Sequence, residues 1–484
     1  MEEPDTLQRV KSQLPICGHQ DVKPLGLRWR SNTLFIISTV AVGLFTDLFL
    51  YGLIVPVLPF MLQDRVGLPQ DQVQTHTSVL LALYAAASVV FSPVAGVFAD
   101  RMTSRQLPFL LGLVALLLAT ILLAVGQSIA VLAIARILQG VSGAVVWTIG
   151  LAMCLETVGP ENLGKTIGTI FSLISAGTLA APVLGGILYD KTGYVGVFSV
   201  GVALLAVDFI MRLLVIEKKI AKRYESKDTE RRDQDEEEGF DTEETPLLGS
   251  SESEKYKLPE TRSKLVRAAP ILACITDRSI LAALLVCLVQ ATLLGSFDAT
   301  IPTLASDYYG FDSLHDGLLF LPLGAADLIV GPIAGWATDR FGTKLVATVG
   351  YFYLVPVLIL LRLPHPGGTK QVILYGAMLA LCGVGEAIIG APSIVEAGAM
   401  VEKYHKANPG FFGEEGPYAQ LYGANSMVFS AGLTLGPLVA GGLKDKIGYG
   451  NMNAMVAGVC FVTAMVSFLF IGGRPSLPSW RWWR

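Results

Sequence analysis

The chain has 484 residues, 52% of them hydrophobic and only 16% charged, with a formal net charge of −4. A soluble chain of this length carries roughly 25% charged residues, so the composition excludes an ordinary water-soluble globular protein. The net charge arises largely in one central acidic segment and says little about partners.

A polar arm, 1–32, ends in Arg28, Trp29 and Arg30. It holds no short apolar core followed by a cleavage site, so no cleaved signal peptide is expected. Apolar runs follow near 33–60, 75–99, 107–127, 128–154, 163–189 and 194–216, numbered here spans 1–6. A hydrophilic interval, 217–278, separates them from spans 7–12, near 279–304, 314–338, 344–363, 371–397, 419–443 and 448–471; a tail, 472–484, follows. Each run is long enough to cross a hydrocarbon core of about 30 Å as a helix rising about 1.5 Å per residue. Helices satisfy their backbone groups internally, which lipid demands. The length of the runs and their lack of alternation exclude a membrane barrel. The expected fold is an all-α polytopic membrane protein, twelve transmembrane helices arranged as two pseudo-symmetric six-helix bundles, 33–216 and 279–471.

Lys and Arg set the orientation. The short loops nearly balance, and the arm (Lys23, Arg28, Arg30), the interval and the tail (Arg474, Arg481, Arg484) decide it. Both termini and the interval are then cytoplasmic. The interval carries Asp235-Glu236-Glu237-Glu238 and Asp241-Thr242-Glu243-Glu244 with few apolar residues, too few to bury a core. Within it, Glu243-Glu244-Thr245-Pro246-Leu247-Leu248 resembles an acidic dileucine signal that a sorting adaptor would read. The six cysteines show no metal-ligand spacing and no disulfide framework.

The two halves repeat one another. Gly96-Val97-Phe98-Ala99-Asp100-Arg101-Met102-Thr103-Ser104-Arg105 follows span 2, and Gly335-Trp336-Ala337-Thr338-Asp339-Arg340-Phe341-Gly342-Thr343-Lys344 follows span 8. The span 5 stretch from Gly177 through Pro182, Gly185 and Gly186 aligns with the span 11 stretch from Gly432 through Pro437 to Gly441. Pro56 of span 1 matches Pro302 of span 7. Equivalent motifs half a chain apart indicate related halves.

These residues carry a resemblance. Gly96, Asp100, Arg101 and Arg105 resemble the loop 2–3 signature of the major facilitator superfamily, repeated here by Gly335, Asp339, Arg340 and Lys344. Arg136-Ile137-Leu138-Gln139-Gly140 resembles its span 4 motif, and Gly177–Gly186 its antiporter motif. Asp47 followed by Leu48–Pro59 is similar to span 1 of the twelve-span drug–proton antiporters, especially the vesicular amine transporters and their fungal relatives. Two departures stand out: Ala181 precedes Pro182 where that family usually has Gly, and the usual Gly near Thr103 is absent. The resemblance implies alternating access, gating by the repeated loop motif, and a span 5 stretch that seals against leak.

Charge inside the spans is the sharper physical clue, since an ionisable group in mid-bilayer costs about 2.5–3.5 kcal/mol by insertion scales. Asp47, Arg136, Asp298, Asp327 and Glu386 fall there, and Asn425 adds a polar group in span 11. A carboxylate removed from water favours its neutral form, so it can hold a proton and a cation in turn. Arg136 needs a partner that the sequence does not name. Asp208 and Arg212, spaced i,i+4, are expected to neutralise each other, and Glu156 and Glu396 to be solvated near span ends.

Gly159–Thr166 satisfies the Walker A pattern literally. A phosphate loop needs a preceding strand and free backbone N–H groups; Pro160 offers none, Glu161 repels phosphate, and spans flank the stretch on both sides.

The leading expectation is a secondary transporter exchanging protons for a small organic solute, cationic or amphipathic, with its site lined by Asp47, Arg136, Asp298, Asp327, Glu386 and Asn425. The alternatives are proton symport or uniport of a neutral nutrient, and a membrane receptor or scaffold on the same fold. No enzyme activity, cofactor, metal or nucleic acid is expected. The chain is expected to work as a monomer in a plasma, vacuolar or vesicular membrane.

Overall fold

The computed structural model describes residues 26–55, 57–102, 104–221, 224, 256–258, 266, 269–311, 318–412 and 416–472. The sorting-type sequence at Glu243, Leu247 and Leu248 lies outside them, as do Pro56, the acidic runs and the terminal residues.

Span 1 is the helix Thr33–Ile54, started by the Asn32 side chain, which accepts the Leu34 N–H at 2.8 Å. Spans 2, 3 and 4 are Gln70–Asp100, Gln106–Val125 and Ile129–Val158. Spans 7, 8 and 9 are Arg278–Tyr309, Phe320–Phe341 and Thr343–Leu360. Span 10 is Thr369–Gly390 continued by Pro392–Ala407, and spans 11 and 12 are Tyr418–Ile447 and Tyr449–Phe470. The step in span 10 falls where Pro392 has no N–H to donate, a feature the apolar run did not reveal.

Spans 5 and 6 differ from expectation in form. They make one helical run, Leu163–Leu214, of 52 residues, interrupted only at Gly193 (φ 64°, ψ −156°). At about 1.5 Å per residue this run is more than twice the thickness of a hydrocarbon core. Its two ends lie on one face: Lys218 Nζ, just past span 6, donates to the Thr157 carbonyl at 3.0 Å, beside the start of span 5. Tyr189 and Tyr194, flanking Gly193, both donate to Asp64 on the other face, at 3.1 and 3.5 Å. The chain therefore reverses at Gly193, whose positive φ a side chain would resist. Eleven helices among the described residues are long and apolar enough to cross a membrane, and counting both limbs of the folded one gives twelve crossings.

Leu118, Ile121, Val207, Ile210, Ile333, Phe468 and Leu469 are exposed on the outer surface, as lipid-facing residues are. The protein is a multi-pass integral membrane protein. In lipid, helix association rests on close packing at small residues more than on hydrophobic burial, and the halves use the same device. Gly52 of span 1 packs on Ala181 and Pro182 of span 5, and Gly185 lies against the Leu53 carbonyl. In the second bundle Gly295 of span 7 packs on Pro437 of span 11, and Gly436 lies against Thr292. Gly177 sits on the Phe45 ring, whereas Gly186 has no neighbour that a Cβ would meet.

The Asp208–Arg212 pair neutralises itself as expected. Both side chains are fully buried, with bonds of 2.8 and 2.6 Å, and Arg212 also donates to the Phe109 carbonyl at 2.6 Å. Glu396 is a correction. It is buried, accepting from Ser279 Oγ at 2.6 Å, from the Gly472 N–H at 2.9 Å and from Thr343 Oγ1, because span 10 continues past Pro392 and carries it inside.

Candidate functional site

The repeated loop motif joins the bundles through its carboxylates. Span 2 ends at Asp100, which reaches across to the first turn of span 11 and accepts the N–H groups of Ala419 and Gln420 at 3.0 and 2.8 Å. Span 8 reaches Asp339, which accepts those of Gly164 and Lys165 in the first turn of span 5, both at 2.7 Å. The first N–H groups of a helix lack internal partners and lie at the positive end of its dipole, so each carboxylate is a cap supplied from the opposite bundle. We call this side of the molecule the capped face.

The motif glycines permit the approach. Gly96 abuts Ala419 and Gln420, and Gly335 abuts Gly164 and Gly168. The neighbour of Gly96 is span 11, a choice the sequence left open. The cations behave differently in the two copies. Arg105 is buried and bonds both Asp100 and Glu156 at 2.9 Å, while its backbone N–H donates to Glu217 at 2.6 Å. Glu217 also accepts from Ser104 and Gln106, yet its burial beyond span 6 still raises its carboxyl above the usual range. In the second copy Lys344 lies over the Phe468 ring, 5.3 Å from its centroid, and Arg340 is exposed. Arg101 is exposed as well.

From the capped face the two seams run inward. Ser92 meets Ser426 and Ser88 meets Ser430, each at 3.1 Å, between spans 2 and 11. Asp327 bonds Ser175 between spans 8 and 5, and Leu179 packs on Gly324. Among the described residues, the hydrogen bonds joining the bundles lie between the capped face and the level of Ser88 and Ser175.

The intramembrane charges form two groups, one in each bundle. In the first, Asp47 is 0% exposed; Oδ2 accepts from Tyr84 at 3.1 Å and Oδ1 has no partner. Trp147 comes close enough to interact with the same carboxylate. Arg136, also 0% exposed, donates to Gln139 Oε1 at 2.9 Å and lies 5.6 Å from the Tyr51 ring centroid. Its Nε and Nη2 have no partner, so the guanidinium meets an amide and a ring rather than a carboxylate.

The second group is Asp298, Asp327 and Glu386. Glu386 is buried with neither carboxylate oxygen bonded, and lies within electrostatic range of the other two. Asp298 is exposed although it lies well inside span 7, and Asp327 is half-buried. Tyr51 falls within range of both Arg136 and Asp298, which brings the two groups together. Asn425, buried with an unpartnered Oδ1, stands apart at the seam of spans 2 and 11 beside Ser426.

Sequence reasoning missed an aromatic set at the same level. Trp147 of span 4 stacks at 6.1 Å on Phe429 of span 11, across the bundles, and meets Phe171 of span 5 at the same distance. All three rings are half-buried. Tyr51, Tyr84 and Ser175 were missed too. Only the i,i+4 spacing of Asp47 and Tyr51 could have pointed to any of them. Among the described residues no group of three His, Cys, Asp or Glu is close enough to hold a metal.

Two six-helix bundles, capped onto one another at one face and each carrying ionisable groups inside the membrane, define a membrane transporter architecture. The chain belongs to the Major Facilitator Superfamily, whose family model matches residues 40–408. An MFS-type transporter, ppzB, of Metarhizium rileyi is 46% identical over 471 residues, covering 93% of this chain and 97% of that protein. The vesicular acetylcholine transporter of Drosophila melanogaster is 24% identical over 87% of this chain and 69% of its own. The crystal structure of the human organic anion transporter MFSD10 (TETRAN) matches 90% of this chain and 99% of its own with a TM-score of 0.62, at 17% identity, a likeness of fold.

Proposed function

We propose that this chain is a secondary active transporter exchanging protons for a small organic solute by alternating access. The capped face is its cytoplasmic side, and the conformation described is open to the opposite side. The carrying observation is Asp47: a carboxylate sealed from water, unpaired with any cation, holding one orphan oxygen inside the first bundle. Such a group is stable when protonated and costly when ionised, so its proton can be tied to the state of the cavity. The Drosophila relative is named for acetylcholine, an organic cation, which supports a solute of that kind.

In this reading the crossed caps of Asp100 and Asp339 form the cytoplasmic gate, and the Gly177–Gly186 stretch holds span 5 against span 1. Lipid is the surroundings, the monomer is the working unit, and Glu243, Leu247 and Leu248 are an address for a sorting adaptor. The membrane is the plasma membrane or that of a vacuole or vesicle.

The test is uptake of a fluorescent amine into proteoliposomes with and without an imposed pH gradient. The gradient is expected to drive accumulation in wild type, and Asp47→Asn to abolish that accumulation. Movement unchanged by collapsing the gradient and by Asp47→Asn would sink the antiport reading and favour uniport.

A further inference from the structure

Asp47 and Asp298 stand at neighbouring levels of spans 1 and 7, the equivalent spans of the two halves, yet their surroundings differ in kind. Asp47 is closed in: none of its surface is exposed, Tyr84 occupies one oxygen, and a Cβ at Gly143 would lie 3.1 Å from Oδ2. Nothing the size of an ammonium group reaches it without moving span 4. Arg136 stands in the same bundle with two donors unmatched, and its permanent charge repels a second cation. A proton needs no such room.

Asp298 is the reverse. It is exposed to the space between the bundles and has no hydrogen bond or ion pair with a described residue. Glu386, buried and fully orphaned, and Asp327 lie within electrostatic range of one another, with no cation among them. Toward the capped face from Asp298, the half-buried rings of Trp147, Phe171 and Phe429 form an aromatic floor contributed by both bundles. An apolar body can lie on those rings while its charge is held above, and ring faces also favour cations.

Building on the proton-exchange reading, we propose that Asp298 docks the cationic centre of the substrate, an organic cation with an aromatic or aliphatic body, while Asp47 is reserved for the proton. The labour is divided between the halves: the first bundle carries the coupling ion and the second recognises charge. Asp327, tied to Ser175 at the seam, does not touch the solute.

The experiment uses purified full-length protein in liposomes with tetraphenylphosphonium, whose charge does not titrate. Binding is followed by equilibrium dialysis and accumulation by isotope uptake. Asp298→Asn is expected to weaken binding about tenfold or more, with Asp298→Glu recovering most of it. Asp47→Asn is expected to bind the cation with little change, to lose gradient-driven accumulation, and to keep exchange of external for internal cation. Binding lost in Asp47→Asn but kept in Asp298→Asn would overturn the assignment, as would wild-type protein that binds none of tetraphenylphosphonium, ethidium and choline. Gradient-insensitive accumulation by wild type would instead remove the proton's role alone, with docking at Asp298 still decided by the binding arm.

Discussion

Arg212→Met is expected to destabilise the protein by about 3–5 kcal/mol, because it strands Asp208 as an unpaired buried charge. Both side chains are fully buried, and the guanidinium also satisfies the Phe109 carbonyl and lies 3.8 Å from the centre of the Phe109 ring. Gly43 of span 1 packs against the same guanidinium, so the pair holds spans 1, 3 and 6 together. Methionine fills the space of the arginine stem and leaves the carboxylate nothing but lipid-like surroundings. Thermal unfolding of detergent-purified protein should show a large fall in the midpoint. The double change Asp208→Asn with Arg212→Met should recover most of it, since removing both charges avoids the penalty of removing one. A single variant as stable as wild type would show that the pair is dispensable.

The second large effect is expected at the seam of spans 5 and 8. Gly335→Val would drive a side chain into the Gly164 carbonyl and the Gly168 backbone. Neither neighbour is a flexible side chain that could swing away, so the helices must separate. Separation also withdraws Asp339 from the N–H groups of Gly164 and Lys165. The protein should still insert and fold, since each bundle's own packing is untouched, but transport should fall at least about tenfold. A cysteine placed at Ser172, buried in wild type, should become reactive from the capped face. Gly458→Ala in span 12 is the matched control, because a Cβ there meets nothing, and it should transport normally.

What the sequence disclosed follows from what lipid imposes. The twelve crossings were legible because apolar runs and charged turns are imposed along the chain itself. The relation of the halves was legible because both copies of the Gly-x-x-x-Asp-Arg motif survive. The reversal between spans 5 and 6 was legible as the break at 190–193, but not that helical φ/ψ would continue up to Gly193 and resume directly after it. Nor could the partners of Asp100 and Asp339 be read: they are backbone N–H groups, which any residue type presents. Arg136 was legible as a cost and not as a contact, for its neighbours Gln139 and Tyr51 are ordinary residues of a span. The contrast between Asp47 and Asp298 depends on where Gly143 and Tyr84 stand around one and on what is missing around the other, which only the assembled bundles define. The aromatic floor illustrates the same limit: Trp147, Phe171 and Phe429 share no spacing, and lipid-facing rings look identical in sequence.

The unequal fastening of the two copies of the motif has a consequence for how the molecule moves. Across spans 2 and 11, Asp100 is braced by Arg105, which Glu156 and Glu217 hold in turn. Across spans 5 and 8, Asp339 is hydrogen-bonded, among the described residues, by two backbone donors, with the exposed Lys165 cation nearby and Lys344 turned to Phe468. A carboxylate steadied by a buried guanidinium is harder to withdraw than one at a half-open edge. The bundles should therefore part like a door and not like jaws, swinging about the braced edge while the lightly held edge gapes first. High salt, which screens the exposed edge more than the buried one, should widen that lead.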